Sequence, residues 1–323
     1  MTVLVFVCGT GRCGSTLVTE LLARHSEVGF VSNIDDKLTL LDLTGRWNNA
    51  LFQRTRPRDP KLMPFKNRRR LLELGRLRLA PSEGWEVLRR QVSPLFSDTY
   101  RDLVADDLNP WLERRLRRFF ERRMGAQRKP VFVHHLTGWP RARLLQAVFP
   151  EARFIHVIRD GRAVASSWLQ MPWWNVYEGP NRWEDFGPLP QQYAAEWQRS
   201  GESFVVLAGL AWKLRIDAFE QTRAAIPPDQ WVDVRYEDVI ADPRLQVKAL
   251  LEFVGLDWTP RFEACFAHYR FQPSRSFRHD LSPANLTRLE QALAGHLRAY
   301  GYELGEPDGT ISPLRIDPDS LST

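Results

Sequence analysis

The sequence has few cysteines and no apolar run long enough to cross a membrane. Its three cysteines, Cys8, Cys13 and Cys265, are odd in number and lack the spacing of a disulfide framework, which indicates a reducing compartment. No stretch approaches the ~20 apolar residues of a membrane span. The apolar start, residues 3–7, has no basic segment before it and does not read as a signal peptide. These absences predict a cytoplasmic protein without a transmembrane segment.

The composition is that of a globular protein with a positive net charge. Of its 323 residues, 43% are hydrophobic and 26% are charged, which allows one large α/β domain or two small ones. Lysine and arginine number 45 against 39 acidic residues, and the formal net charge is +6. Such a protein favours anionic partners: nucleotides, acidic substrates, nucleic acid or an anionic membrane surface. Because the basic runs carry no recognised nucleic-acid-binding motif, we expect no nucleic-acid partner.

Apolar runs of strand length alternate with helical patterns along the chain. Runs at residues 3–8, 130–136, 152–160 and 231–238 read as buried strands, and a helical spacing of apolar residues follows each of them. This alternation predicts an α/β protein of the P-loop type, with three layers and a central parallel sheet. Ligands of such a sheet bind at the carboxyl ends of its strands.

Residues 36–128 interrupt this alternation with an arginine-rich, helical pattern. Asn109 and Pro110 predict a helix start, because asparagine caps a first turn and proline fits its first position. We interpret this helix as a surface helix with a basic outer face; the alternative is contact with an anionic acceptor or a lipid surface. The boundaries predict one domain over residues 1–304, with an acceptor-specific helical insertion at 36–128, and a polar tail at 305–323.

A glycine-rich loop in "CGTGRCGSTLV" joins the first predicted strand to the first helix. It is almost a nucleotide-binding P-loop, but Ser15 stands where a triphosphate-binding loop has lysine, and Arg12 supplies a cation instead. The amides of such a loop and of the helix N-terminus after it bind anions. Cys13 is interpreted as a small residue that fills the turn. The predicted anion-binding residues are Gly11, Arg12, Cys13, Gly14, Ser15 and Thr16.

A second strand end, "RDGRAVASSW", carries Arg159 at the strand exit and Ser167 in the next helix. Together with "GTGRCGSTLV" it resembles the paired cofactor motifs of sulfotransferases that use 3′-phosphoadenosine 5′-phosphosulfate (PAPS), in particular the bacterial, soluble branch. The resemblance implies that the first loop holds the 5′-phosphosulfate without a metal. It also implies that Arg12 stabilises charge developing on the sulfuryl group, and that Arg159 and Ser167 hold the 3′-phosphate.

The resemblance continues towards the C-terminus. "RYEDVIADPRLQVKALLEFVGL" is similar to a strand-to-helix segment of the family, and "SRSFRHDLSPANLTRLEQALAGHLRAYGY" is similar to the last segment of bacterial members. The basic loop in the latter implies that Arg275 and Arg278 add contacts to the 3′-phosphate. The resemblance does not cover residues 36–128.

Sulfuryl transfer also needs a base that removes the acceptor proton, and the sequence offers two candidates. In "VFVHHLTGWP", His135 and Leu136 match a His-Leu pair of cytosolic family members, although Val133 replaces the lysine of that motif. The second candidate is Asp35 or Asp36 in "SNIDDKL", near the position where other branches use glutamate. Both alternatives stay open at this stage.

The motifs predict transfer of a sulfuryl group from PAPS to a hydroxyl of a small-molecule, sugar or lipid-like acceptor. An aromatic segment at residues 168–197 is predicted to be loop and lid, in which Trp173, Trp174 and Tyr177 form an acceptor wall or pack in the core. One alternative is a P-loop kinase or NTPase, which Ser15 in the lysine position disfavours. Another is a non-catalytic nucleotide-binding protein that keeps the loop without a working base.

Overall fold

A five-stranded parallel sheet forms the centre of the protein. The computed structural model describes residues 2–41, 43–55, 57, 79–174, 189–272 and 277–305. The strand order is β2-β3-β1-β4-β5, and every neighbouring pair is parallel. The predicted α/β fold with a central parallel sheet is confirmed. The strands are β1 (Val3–Gly9), β2 (Val28–Phe30), β3 (Val131–Thr137), β4 (Arg153–Ile158) and β5 (Trp231–Arg235).

Fourteen α-helices of the described residues surround the sheet or lie at its edges. They are α1 (Ser15–Ala23), α2 (Asn33–Lys37), α3 (Asn48–Phe52), α4 (Trp85–Gln91), α5 (Pro94–Ser97), α6 (Pro110–Gln127), α7 (Ala142–Val148), α8 (Gly161–Leu169), α9 (Gln191–Arg199), α10 (Phe204–Arg223), α11 (Tyr236–Ala241), α12 (Pro243–Phe253), α13 (Pro260–Phe266) and α14 (Pro283–Ala299). None of them is both long and apolar enough to cross a bilayer.

The two faces of the sheet are covered by different helices. Because side chains alternate along a strand, Phe6 of β1 points to one face and Val7 to the other. Phe6 belongs to a core cluster with α6 and α7, whereas Val7 belongs to a cluster with α1, α12 and α13. A third cluster joins α8, α10 and α14 beside the sheet. The helices and the sheet thus form the three predicted layers.

The register brings the carboxyl ends of neighbouring strands to one edge. Gly9 at the end of β1 pairs with Thr137 at the end of β3, and Ile158 at the end of β4 pairs with Arg235. Ligands of a parallel sheet bind at this edge, and the loops that follow β1, β3 and β4 all begin there.

Helix α6 begins where its sequence predicts. The Asn109 side chain accepts hydrogen bonds from two backbone amides of the first turn, and Pro110 opens the helix. Its apolar face is buried against the sheet, whereas its arginine-rich face is largely exposed. The insertion is described only in part, because most of residues 56–78 lie outside the described residues.

Two predicted element boundaries are wrong. The strand predicted at residues 231–238 ends at Arg235, because Tyr236 opens α11. Part of the aromatic segment predicted to be loop is helical: Trp168 lies in α8, and Gln191–Arg199 forms α9. Tyr193 packs there against α10 in a small apolar cluster that no local pattern predicts. Tyr177 of this segment lies outside the described residues.

Candidate active site

The glycine-rich loop connects the end of β1 to the start of α1 through left-handed backbone conformations. Gly11, Arg12 and Gly14 have φ values of 88°, 55° and 96°. The ring of Tyr236, the first residue of α11, lies directly against Gly14 and fills the place of any side chain there. The loop therefore rests on the end of β5 and aims the N-terminus of α1 at the carboxyl edge of the sheet, where helix amides favour an anion.

Side chains from the two predicted cofactor motifs meet beside this loop. Arg12 Nε donates a hydrogen bond to Ser167 Oγ at 2.9 Å, and Arg159 donates one to the backbone carbonyl of Arg12 at 2.9 Å. Burial lowers the pKa of Arg12, and the positive charge of Arg159 lowers it further. Two guanidinium groups held this close favour an anion that both can contact.

The loop is also tied to strand β3. His135 Nε2 lies 2.8 Å from Ser15 Oγ, and both side chains are buried. Burial lowers the pKa of His135, which keeps its imidazole neutral at neutral pH. The side chain of Cys13 is buried in the core against Gly9, so Cys13 can offer a ligand only its main chain. Thr16 is exposed at the start of α1.

A carboxylate that the sequence did not single out lies next to His135. Glu83 Oε1 accepts a hydrogen bond from Thr137 Oγ1 at 2.5 Å and lies 3.9 Å from His135 Nε2. Its other oxygen accepts one from Trp85 Nε1 at 2.7 Å. An antiparallel bridge between Ser32 and Pro81 brings this segment to the sheet edge. No motif marks Glu83, because its position depends on that long-range bridge.

Asp35 and Asp36 make structural contacts instead. Asp35 accepts hydrogen bonds from the amide and hydroxyl of Ser32, in a capping box at the start of α2, and from Asn48. Asp36 accepts two from backbone amides in the first turn of α4, and burial raises its pKa. Neither residue lines the cleft described next. Together they fix the segment that carries Glu83.

A cleft of about 990 Å³ opens at this edge of the sheet. Arg12, Ser15, Glu83, His135 and Arg159 all line it. Among the described residues, no group of His, Cys, Asp and Glu is placed to hold a metal ion. The aromatic and cationic residues in the remainder of the wall include Trp85, Trp139, Trp168, Trp173, Arg215, Tyr236, Tyr269 and Arg270.

Arg215 is a cleft residue that sequence reasoning missed. It reaches from the middle of α10 to the glycine-rich loop, where it donates a hydrogen bond to the carbonyl of Thr10 at 2.6 Å. Its guanidinium lies 5.2 Å from the Trp168 ring. A mid-helix arginine carries no local signal in the sequence, because only the packing of α10 against α8 brings it to the loop.

The remaining predicted site residues are placed differently. Trp173 is half exposed and lines the cleft, whereas Trp174 is buried in the core cluster of α8 and α10. Arg278 lies 3.9 Å from Glu290 and does not line the cleft. Arg275 lies outside the described residues.

Residues 5–260 match the model of the Sulfotransferase family, and the chain therefore belongs to that family. The predicted family and enzyme class are confirmed. A curated relative is the omega-hydroxy-beta-dihydromenaquinone-9 sulfotransferase Stf3 of Mycobacterium tuberculosis, 23% identical over 97% of this chain and 78% of the relative.

Solved structures of sulfotransferases share the fold. Sulfotransferase STF9 from Mycobacterium avium superposes with a TM-score of 0.52 at 18% identity, over 95% of this chain and 79% of that chain. Sulfotransferase STF1 from Mycobacterium tuberculosis superposes with a TM-score of 0.50 at 18% identity, over 91% and 77%.

Proposed function

We propose that this sulfotransferase uses PAPS as its donor and transfers the sulfuryl group to a hydroxyl of a small-molecule, sugar or lipid-like acceptor. The observation that carries the proposal is the meeting of Arg12, Arg159 and Ser167 at one edge of the cleft. Arg12 lies 147 positions from Arg159 and 155 from Ser167 in the sequence. One dianion of the donor at each motif would balance the positive charges of Arg12 and Arg159 and accept hydrogen bonds from the hydroxyls there.

The residues at this edge fit such a donor. The loop amides and the hydroxyls of Ser15 and Thr16 suit the 5′-phosphosulfate, with Gly11, Cys13 and Gly14 contributing main chain. Arg159 and Ser167 suit the 3′-phosphate. We leave Arg278 out of the proposed contacts because it pairs with Glu290.

We propose Glu83 as the group that removes the acceptor proton. Its carboxylate lines the cleft and is held in place, whereas His135 Nε2 already hydrogen-bonds Ser15. Neutral His135 then positions the Ser15 hydroxyl in the loop. Asp35 and Asp36 are less suited to this task because their oxygens cap α2 and α4.

The charges around the cleft support transfer of an anionic group. When bound, PAPS supplies the sulfuryl group and leaves as 3′-phosphoadenosine 5′-phosphate. Arg12 and the amides at the start of α1 stabilise the negative charge that develops on the leaving phosphate. Glu83 accepts the proton of the acceptor hydroxyl. The cation is thus provided by Arg12, because Ser15 occupies the position of the lysine in a triphosphate-binding loop.

The acceptor class rests on two further observations. The relative Stf3 is named for omega-hydroxy-beta-dihydromenaquinone-9, a hydroxyl-bearing, lipid-like molecule. In this chain the cleft has Trp85, Trp139 and Trp173 in its wall, which suits an acceptor with an apolar part.

We also propose a cytoplasmic location, because Cys8 and Cys13 are free and buried.

Calorimetric titration with 3′-phosphoadenosine 5′-phosphate, beside ATP with magnesium, tests the donor. We expect the bisphosphate to bind without metal and more tightly than ATP. Arg159→Ala should weaken its binding by about 10- to 100-fold, because a charge-assisted hydrogen bond is lost. The matched control is Arg288→Ala, an exposed arginine of α14, which should bind like the wild type.

Two results would contradict the proposal. Binding of ATP only with magnesium would return the kinase alternative. Unchanged affinity for the bisphosphate in Arg159→Ala would remove the role assigned to the second motif.

A further inference from the structure

Helix α6 presents a stripe of arginines to solvent that the proposed reaction does not use. Arg114, Arg118 and Arg122 are exposed and four residues apart, so they lie along one line of the helix. Two surface depressions run beside this stripe. Their described lining includes a single carboxylate, Glu121, and seven arginines: Arg90, Arg114, Arg115, Arg117, Arg118, Arg122 and Arg123.

Exposed apolar side chains lie next to the arginine stripe. Leu40 lines one of the two depressions together with Arg118 and Arg122. Its segment is held along α6, because Arg123 donates a hydrogen bond to the carbonyl of Leu43 and Gln127 donates one to that of Thr44. The exposed apolar side chains of this segment, here called the leucine rim, are Leu38 at 40% exposure, Leu40 at 75%, Leu41 at 64% and Trp47 at 64%.

We propose that the arginine stripe and the leucine rim form a docking surface for an anionic phospholipid membrane. Arginines gain from phosphate head groups, and leucine and tryptophan gain from entering the boundary of the acyl chains. A bilayer interface provides both environments side by side. Nucleic acid or an acidic protein surface would satisfy the arginines but would leave the leucine rim in water.

The docking surface and the active-site cleft lie on two sides of one helix. On α4, Glu86 and Arg89 line the cleft, whereas Arg90 and Gln91 line the depression beside the arginine stripe. A membrane bound at the docking surface would therefore lie close to the cleft. This arrangement would serve to deliver a lipid-like acceptor to the cleft, and that use rests on the proposed function. Binding to the membrane does not depend on the proposed function.

Co-sedimentation with lipid vesicles tests the proposal. We expect the whole chain to bind vesicles that contain phosphatidylglycerol and not vesicles of phosphatidylcholine alone. The triple variant Arg114→Gln, Arg118→Gln, Arg122→Gln should bind about 100-fold more weakly, because each arginine near a charged surface contributes about 1 kcal/mol. The double variant Leu40→Ser, Leu41→Ser should also bind more weakly, at least tenfold.

A second triple variant removes the same charge elsewhere. Arg261→Gln, Arg288→Gln, Arg298→Gln changes three exposed arginines outside the docking surface and should bind vesicles like the wild type. Equal losses in both triple variants would overturn the proposal in favour of net charge alone. Full binding by the leucine double variant would also overturn it, in favour of a purely anionic partner such as nucleic acid or an acidic protein.

The same variants separate this inference from the proposed function. None of the changed residues lines the cleft, so all variants should keep the affinity of the wild type for 3′-phosphoadenosine 5′-phosphate. Vesicle binding without nucleotide binding would contradict the proposed function alone. Nucleotide binding without vesicle binding would contradict the docking surface alone.

Discussion

The carboxylate of Glu83 is oriented before any acceptor arrives, because Thr137 and Trp85 each donate a hydrogen bond to one of its oxygens. Glu83→Gln keeps the size of the side chain but removes the proton acceptor. We expect kcat to fall about 10²- to 10⁴-fold, the usual contribution of a general base, with unchanged affinity for 3′-phosphoadenosine 5′-phosphate. Steady-state kinetics with a hydroxyl acceptor found by screening, together with titration, measures both quantities.

Glu86→Gln is the matched control, since Glu86 lines the same cleft from α4 and is exposed. It should keep the kcat of the wild type. Equal kcat in Glu83→Gln and the wild type would return the role of base to His135.

His134 makes stability depend on pH. It is fully buried among Phe6, Phe119 and Phe120, neither ring nitrogen has a hydrogen-bond partner among the described residues, and burial lowers its pKa to about 3. The unfolded chain binds a proton at this histidine below a pH of about 6.5, whereas the folded chain does not until about 3. Stability is therefore lost as the pH falls between these values.

His134→Phe should remove this loss. At pH 5 the histidine lowers the free energy of unfolding by about 2 kcal/mol relative to pH 8. Urea unfolding at the two pH values measures it, and His268→Phe at an exposed histidine shows whether the loss of any histidine has the same effect. If the free energy of unfolding depends on pH in the same way in His134→Phe and in the wild type, burial does not lower the pKa of His134 in the folded protein.

Single residues also show how much of the candidate site can be predicted from the sequence alone. Arg12 could be predicted because it follows a strand end, and Arg159 and Ser167 because their motif, paired with the glycine-rich loop, resembles the cofactor motifs of the family. Glu83 and Arg215 could not, because one depends on the bridge between Ser32 and Pro81 and the other on packing of α10. Local patterns therefore locate the glycine-rich loop and the second motif, and leave out residues that only long-range packing brings to the cleft.

Among the elements, α6 has a capped start that is exposed to solvent. Asn109 satisfies the amides of Trp111 and Leu112 at the exposed start of an 18-residue helix. Asn109→Ala should lower the free energy of unfolding by about 1 kcal/mol, whereas Asn109→Ser keeps an oxygen acceptor and should lose little. Chemical denaturation measures both. No loss in Asn109→Ala would show that Pro110 and the backbone alone fix the start.

Element boundaries were predictable where a local signal exists. Asn109 and Ser282 cap helices and a proline follows each, so the starts of α6 and α14 follow from the sequence. Helix α9 was predicted as loop because aromatic residues dominate its segment. Its Tyr193 becomes apolar core only through Val206 and Leu210 of α10, a contact that no local pattern contains.

At the scale of the molecule, the last described helix packs beside the helix that carries Ser167. Leu289 and Leu293 of α14 belong to the same core cluster as Trp168 of α8. We therefore propose one domain over residues 1–304. It should unfold in a single transition, with coincident curves from tryptophan fluorescence and far-ultraviolet circular dichroism.

Ligand binding should raise the free energy of unfolding of the whole chain in this single transition. At 100 times its Kd, 3′-phosphoadenosine 5′-phosphate should add about 2.7 kcal/mol to the free energy of unfolding. Arg159→Ala at the same ligand concentration should show a much smaller gain. Two separate transitions, only one of them sensitive to the ligand, would divide the chain into two domains.

The contact between Gly14 and Tyr236 limits how this protein can change. Because the tyrosine ring fills the place of a side chain at position 14, and because the backbone there has a φ of 96°, any residue larger than glycine is excluded for two independent reasons. The two positions lie in different motifs, so the start of α11 constrains the sequence of the glycine-rich loop. A loop transplanted from another member of the family would therefore fit only if it also carried glycine at this position.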